Sequence, residues 1–524
     1  MGIELAVFFL IALTVGAICR VRGINPALPL IITGFVVDAI HPDLGSSIHP
    51  ETVMTYLLAP IVFAAGLNSS AMDLRKVRRT VVVLAVVLVV VSAVVVGFAA
   101  TFMIAGLSFG VAFCLGAILS PTDAVAASAV AKKVRLPRRV LLIIEGESLA
   151  NDGTALTVLR IATVIVVAGG VSVMQATQIA AAAVLGGIAV GLIGGWLVTK
   201  LISWFGDPVV GNVIGLLVPF VLYEFSEQIG GSGLLTVVIA GVFIAQVTSV
   251  KGTSHTFRIQ AKAIWGTVTF VLESVAFFLV GAEFVTVWES IKHPNPIVIV
   301  YAALGITVVM FLIRWAFISS MALYVYKRND DAADTKSEIL KGAFAITILG
   351  VRGPVSVLAA FSIPFVIADG SPFPDRNIVL AVTFVCVIIS LIAATFAGPI
   401  VKLLKFVPES DVKILAKART ALNNAALIRL DEIQADGIER DDEIDPEVIE
   451  RSRQLINRRL QTAQEVRKGN ADSLNREHQR KEVAREVLKA QYNELGRLQV
   501  SEGLPGDIAK QLSAELDHSQ ETLG

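Results

Sequence analysis

The chain has 524 residues, of which 55% are hydrophobic and 17% charged, with a mean hydropathy of +0.72. A soluble globular protein carries about 25% charged residues, so this composition excludes that class and indicates a polytopic membrane protein. The formal charge of zero conceals a division near Pro408: residues 409–524 hold 18 Lys+Arg against 23 Asp+Glu, the remainder 26 against 21. An all-α membrane domain over 1–407 followed by a helical cytoplasmic tail over 408–524 is the expectation.

Apolar runs long enough to span a bilayer recur between polar or Gly/Pro breaks. In chain order they fall near 3–20, 25–40, 52–68, 79–104, 109–131, 140–168, 177–205, 209–228, 233–248, 259–284, 296–325, 340–367 and 376–405, about 13 transmembrane helices in all. The first is followed, not preceded, by its charges Arg20 and Arg22, so it reads as a helix and not as a cleaved signal. Basic residues concentrate in alternate connections: Arg20 and Arg22; Arg75, Lys76, Arg78 and Arg79; Lys132, Lys133, Arg135, Arg138 and Arg139; Lys200; Lys251, Arg258 and Lys262; Lys327, Arg328, Lys336 and Lys341. Lys292 and Arg376 are the exceptions. The positive-inside rule then places the N-terminus outside and the tail in the cytoplasm.

Two runs are interrupted at mid-depth. Pro121 lies within GAILSPTDAVAAS (116–128), and Gly350, Gly353 and Pro354 lie within TILGVRGPVSVLAA (347–360). Proline removes a helix hydrogen bond and collides with the preceding turn, so both helices should unwind there. The interrupted runs are the fifth and twelfth, seven apart and therefore oppositely oriented. LAPIVFAAGLN (58–68) and LESVAFFLVGAEF (272–284) give a second, weaker echo at the same offset. Runs 1–6 and 8–13 thus read as inverted repeats, and paired broken helices in such repeats point to a transporter's binding site. In the tail, Asp445 and Pro446 suit an N-cap and first helical position, with helices expected over 446–467 and 476–499.

The sixth run, LLIIEGESLANDGTALTVLR (141–160), carries more polar groups than lipid tolerates. Asp152 lies about 20 Å along the helix from Arg139, near the middle of a hydrocarbon core roughly 30 Å thick. Ser148 shares its face and Asn151 adjoins it, while Thr122 and Asp123 stand at the fifth-run break beside freed backbone carbonyls. Hydroxyl, amide, carboxylate and carbonyl oxygens suit a hard monovalent cation such as Na+ at Asp152. No histidine falls near them: His41, His49, His255, His293, His478 and His518 lie at loops, ends or tail. Desolvation disfavours the charged form of a carboxylate, which lets one exchange a proton near neutral pH. If proton and cation compete for Asp152 under alternating access, the result is antiport. Glu147, Arg352, Arg314 and Glu273 are the other mid-membrane charges, expected in structural ion pairs. Glu147–Arg352 is the preferred pair, with Arg314 able to serve either Glu147 or Asp123 instead. Arg160, Glu224, Glu227 and Glu283 lie nearer the outer ends and read as vestibule groups. Cys19, Cys114 and Cys386 are far apart and form neither a metal spacing nor a disulfide framework. No cofactor and no nucleic-acid partner are expected.

SPTDAVAASAV (120–130), EGESLANDG (145–153), LESVAFFLVGAE (272–283) and GVRGPVSVLA (350–359) together resemble the sodium/proton exchangers of the cation:proton antiporter-1 family, NhaP type. The resemblance covers about residues 1–405. It implies a thirteen-helix fold with a core ion-translocation domain and a dimerisation domain, a homodimer, and elevator-like alternating access. On motif matches it implies that Asp152 binds cation and proton, that Thr122, Asp123, Ser148 and Asn151 surround it, and that Glu147 is a buried structural glutamate. Asn151 before Asp152 is similar to members exchanging one cation per proton. Ala64 stands where many relatives have an acidic residue, which removes that carboxylate from the site. The expected function is a plasma-membrane antiporter exchanging Na+, Li+ or K+ for H+ amid membrane lipids. A K+-preferring exchanger is the alternative within the class. A gated channel needs no titratable mid-membrane carboxylate, and an enzyme needs a nucleophile–base pair or metal cluster that the run lacks.

Overall fold

The computed structural model describes residues 2–40, 54–123, 136–250, 255–289, 291, 296–328, 335–367, 370–404, 411–440, 445–467 and scattered positions between 479 and 512. The chain divides into two compact units, Met1–Pro408 and Glu409–Gly524. Helix dominates both. In a bilayer every backbone polar group must be satisfied within its own segment, which apolar runs of this length achieve as helices.

The first unit contains α1 (Gly2–Val21), α2 (Ala27–Ile40), α3 (Met54–Leu67), α4 (Ala71–Met103), α5 (Phe109–Leu119), α6 (Arg138–Ala168) and α7 (Val173–Phe205). It continues with α8 (Pro208–Gln228), α9 (Gly233–Val250), α10 (His255–Glu289), α11 (Pro296–Arg328), α12 (Lys336–Ile348), α13 (Pro354–Phe361) and α14 (Arg376–Leu403). Seven of these are long and apolar enough to cross a membrane on their own: α4, α6, α7, α8, α10, α11 and α14. Side-chain oxygens close several helix starts where backbone N–H groups would otherwise be orphaned. Ser172 and Gln175 form a capping box on α7, Asp207 accepts from Val209 and Val210 ahead of Pro208 on α8, and Thr335 pairs with Glu338 on α12. Gly169 and Gly206 end α6 and α7 in the left-handed region, with φ of 72° and 66°.

The fourth helix starts earlier than its apolar run. Ser70 caps it, and residues 71–82 form an amphipathic extension carrying Arg75, Lys76, Arg78 and Arg79. Its Asp73 pairs with Lys76 at 2.7 Å and with Arg138 at 2.8 Å, tying α4 to the start of α6. The apolar pattern dates only the entry into lipid. Helix continues into water because local capping and pairing sustain it.

Both runs leave the helix at the marked breaks. α5 stops at Leu119, and residues 120–123 leave the helix. α12 stops at Ile348, the chain is non-helical through Gly353, and Pro354 opens α13. The Asp123 amide donates to the Val351 carbonyl at 2.7 Å, so the two breaks meet backbone to backbone. Residues 124–135 lie outside the described residues, and with them the second half of the fifth run and Lys132, Lys133 and Arg135. Lys251, Lys292, His41, His49, His293, His478 and His518 lie outside them too.

Helix pairing carries the repeat symmetry. α2 packs on α10, and α3 packs on α9, which are equivalent pairs if runs 1–6 and 8–13 are repeats. Each pair closes at reciprocal glycines. A Cβ on Gly34 would overlap the Phe278 carbonyl oxygen, and one on Gly281 that of Ile31. Likewise, a Cβ on Gly66 would press on the Val238 carbonyl and one on Gly241 on that of Phe63. Small residues let backbones approach in a solvent that offers no hydrophobic drive between helices. Gly34→Ala is therefore expected to cost about 1–3 kcal/mol as overpacking. Gly215→Ala on α8, whose Cβ would enter open space, should leave the unfolding temperature of detergent-solubilised protein unlowered. Equal midpoints for the two variants would contradict this packing.

In the second unit α15 (Asp411–Arg440) and α16 (Pro446–Arg467) pack together, joined by Arg453 pairing with Asp431 at 2.7 Å. The Asp445 carboxylate accepts from the Glu447 amide at 2.9 Å ahead of α16, as the Asp-Pro pair indicates. Half of the positions in the expected helix over 476–499 are described and these are helical, the rest lying outside the described residues, whereas the sequence places no helix over 411–440.

Candidate cation and proton site

The site is assembled where α6 passes the two breaks. α6 is helical throughout, so Ser148, Asn151 and Asp152, at i, i+3 and i+4, lie on one face. That face is buried: Asp152 is 7% exposed and Asn151 fully enclosed. Ser148 donates to the Thr122 carbonyl at 2.8 Å, and Asn151 Nδ2 donates to Thr122 Oγ1 at 3.0 Å. Thr122 is thereby held against α6 by two side chains one turn apart. Asn151 Oδ1 is buried with no hydrogen-bond partner among the described residues. A buried acceptor without a donor is costly, and a cation is one group that can satisfy it.

Asp123 and Asp152 lie within electrostatic range of each other. The Asp123 carboxylate sits where a Cβ on Gly353 would be, at the start of α13. Arg352 sits at the opposite kind of helix end. Its Nε donates to Leu119 O, the last carbonyl of α5, at 3.1 Å, and its Nη1 donates to Gly350 O at 2.7 Å. A carboxylate at a helix N-terminus and a guanidinium at a helix C-terminus both complement the macrodipole. The crossed breaks thus carry their own charge compensation.

Glu147 pairs with Arg314, not with Arg352. Arg314 Nη1 and Nη2 meet Glu147 Oε1 and Oε2 at 2.5 and 2.8 Å, with both side chains under 5% exposed. The preference for Arg352 fails because its guanidinium is committed to the carbonyls at the α5 end, while α11 brings Arg314 across from α6. The Arg352 amide in turn donates to Ser390 Oγ at 2.9 Å, a contact from α14 that the sequence reading missed. Glu273 makes no ion pair among the described residues, contrary to expectation; it stands within electrostatic range of Asp123 and Arg20. Ala64 is buried, with no acid in its place. Nearer the rim, Arg160 meets Glu227 at 2.5 Å and the Gly230 carbonyl at 3.4 Å, joining α6 to the α8–α9 turn.

Fold and site define a class: a polytopic helical membrane protein in which the end of α5 meets the break between α12 and α13 beside a buried carboxylate. The chain matches the family model for the sodium/hydrogen exchanger transmembrane domain over residues 8–403, and it belongs to that family. It is 29% identical to a sodium, potassium, lithium and rubidium/H+ antiporter of Bacillus pumilus, over 81% of this chain and 65% of the relative. It is 30% identical to an uncharacterized Na+/H+ exchanger of Mycobacterium tuberculosis, over 81% of this chain and 79% of the relative. A solved structure, the sodium proton antiporter MjNhaP1 from Methanocaldococcus jannaschii, shares the fold with a TM-score of 0.60 at 21% identity, over 77% of this chain and 99% of that one. The chain spans 65% of the length of the Bacillus pumilus relative and 60% of a similar antiporter from Bacillus subtilis.

Proposed function

We propose that the protein is a secondary active antiporter that exchanges a monovalent cation, Na+ first, for a proton at Asp152. The observation that carries this reading is the pairing of a buried carboxylate, Asp152, with the unpartnered oxygen of Asn151 beside the crossed breaks. One carboxylate cannot hold a proton and a cation at once, so occupancy by either empties it of the other. Asp123 lies within range to keep negative charge at the site, and Thr122 and Ser148 set the wall of the binding space. With Asn151 ahead of it, Asp152 carries the exchange alone, which supports one cation per proton. In this reading thirteen crossings place the N-terminus outside and the tail in the cytoplasm. The host is the plasma membrane, and the working unit is a homodimer in lipid.

The test is exchange in proteoliposomes under an imposed pH gradient, adding Na+, Li+, K+ and Ca2+ in turn. Na+ should collapse the gradient and Ca2+ should leave it intact. Equal rates with K+ and Na+ would favour the K+-transporting alternative, and a gradient that no cation collapses would refute antiport. Clamping the membrane potential with valinomycin and K+ should leave the rate unchanged if the exchange is one for one.

A further inference from the structure

The end of the membrane unit opposite Arg138 holds a second buried carboxylate. Asp38, in the last turn of α2, is 0% exposed, and neither carboxylate oxygen has a hydrogen-bond partner among the described residues. Its placement follows from the glycine crossing. Gly34 lets the α2 backbone press on α10 at Phe278, and Asp38, one turn further on, is carried inward with the same face. Phe35 and Phe284 pack edge to face at 5.8 Å, a second contact between α2 and α10 within a turn of Asp38.

The neighbours of Asp38 are acids. α10 contributes Glu283 and Glu289, both in electrostatic range of Asp38. α14 contributes Arg376, within range of Glu283. Its guanidinium donates to the carbonyls of Ile363 and Phe361 at 3.0 and 3.3 Å and lies over the Phe365 ring, so it is anchored to the α13 end and not to the acids. The remaining neighbour, α1, carries Glu4 in its first turn and its Arg20 at the opposite end. A buried carboxylate within electrostatic range of two others, with no donor among the described residues, is relieved by carrying a proton or a small cation. Among the described residues no group of three His, Cys, Asp or Glu side chains is placed to hold a metal ion.

We propose that Asp38, within electrostatic range of Glu283, is a second exchangeable proton site at the outer mouth, separate from Asp152, where protons load on their way to the exchange carboxylate. It rests on the antiport reading for its purpose, though not for its existence. α10 supplies the direction: Glu283 lies ten residues, or about 15 Å, from Glu273, and Glu273 is within range of Asp123 at the centre. The acids of one helix therefore mark both ends of the route.

Two measurements test this. In infrared difference spectra of reconstituted protein taken across a pH titration, a carboxyl band should persist in Asp152→Asn and lose the Asp38 share of its intensity in Asp38→Asn/Asp152→Asn, the remainder belonging to the other acids of the membrane unit. Identical spectra for the two would overturn the proposal, whatever the transport activity. In right-side-out vesicles, Asp38→Asn should slow proton entry from the bath at alkaline pH by about tenfold, the low end of the gain a focused acidic mouth gives. Asp38→Glu should restore it, and the cation KM should be unchanged. A diffuse surface charge would be screened by added choline chloride, whereas a buried site is not. Full-rate proton entry in Asp38→Asn, or an effect abolished by salt, would contradict a local station. Loss of wild-type exchange with the infrared band retained would refute antiport and leave Asp38 as a proton site.

Discussion

Replacing Asp152 with asparagine is expected to abolish cation-dependent proton movement while leaving the fold intact. The amide is nearly isosteric and remains neutral, so the buried face of α6 loses no packing. It loses the charge that a cation needs. Removing one member of a buried charge pair costs about 3–5 kcal/mol, and each 1.4 kcal/mol is about a factor of ten in affinity. Cation affinity should therefore fall by more than about a hundredfold, and position 152 itself would have no proton to return. Proteoliposome exchange checks this directly. Exchange above a tenth of the wild-type rate, with normal expression and folding, would move the site elsewhere, and Asp123 would be the next residue to replace.

The second large effect belongs to Glu147 and Arg314. Their two-point contact is nearly free of solvent and joins α6 to α11. Glu147→Gln leaves a buried guanidinium uncompensated and should destabilise the protein by about 3–5 kcal/mol. Arg314→Lys keeps the charge but cannot present a planar fork, so it should lose part of that stability. Arg314→Met/Glu147→Met removes both charges together and should recover most of the stability lost in either single variant. Thermal unfolding of the purified protein in detergent reads all three. A double variant as unstable as the sum of the singles would show that the pair does not act as a unit. Arg352→Met is expected to behave differently, because its guanidinium serves the carbonyls of Leu119 and Gly350 and no acid would be left bare.

The contrast between these two arginines shows where sequence reading reached its limit. Pro121, Gly350, Gly353 and Pro354 marked the breaks because backbone chemistry at proline and glycine is local. Asp152, Asn151 and Ser148 stood out because helical spacing alone puts them on one face. The partner of Glu147 depends instead on which helix crosses α6 at that depth. Arg314 and Arg352 are both mid-membrane cations, and spacing along the chain does not distinguish them. Ser390 was missed because a serine in an apolar helix carries no pattern, and its use as an acceptor depends on where the twelfth run unwinds. Asp38 did carry a signal, being a carboxylate in an apolar run. It lies near a helix end, where a carboxylate can reach water, and only the glycine crossing with α10 shows it to be enclosed. The early start of α4 was hidden for the opposite reason, since its first turns are polar and held by capping and ion pairs.

The competition of proton and cation for one carboxylate is tested most directly by the apparent Na+ affinity as a function of pH. Initial exchange rates in proteoliposomes should be recorded against Na+ concentration at several pH values equal on both sides. If Asp152 must release its proton before Na+ enters, KM for Na+ should rise by about tenfold per pH unit on the acid side of its titration, with the limiting rate preserved at saturating Na+. A KM that stays flat with pH while the limiting rate falls would mean that proton and cation occupy separate groups, and would contradict exchange at Asp152.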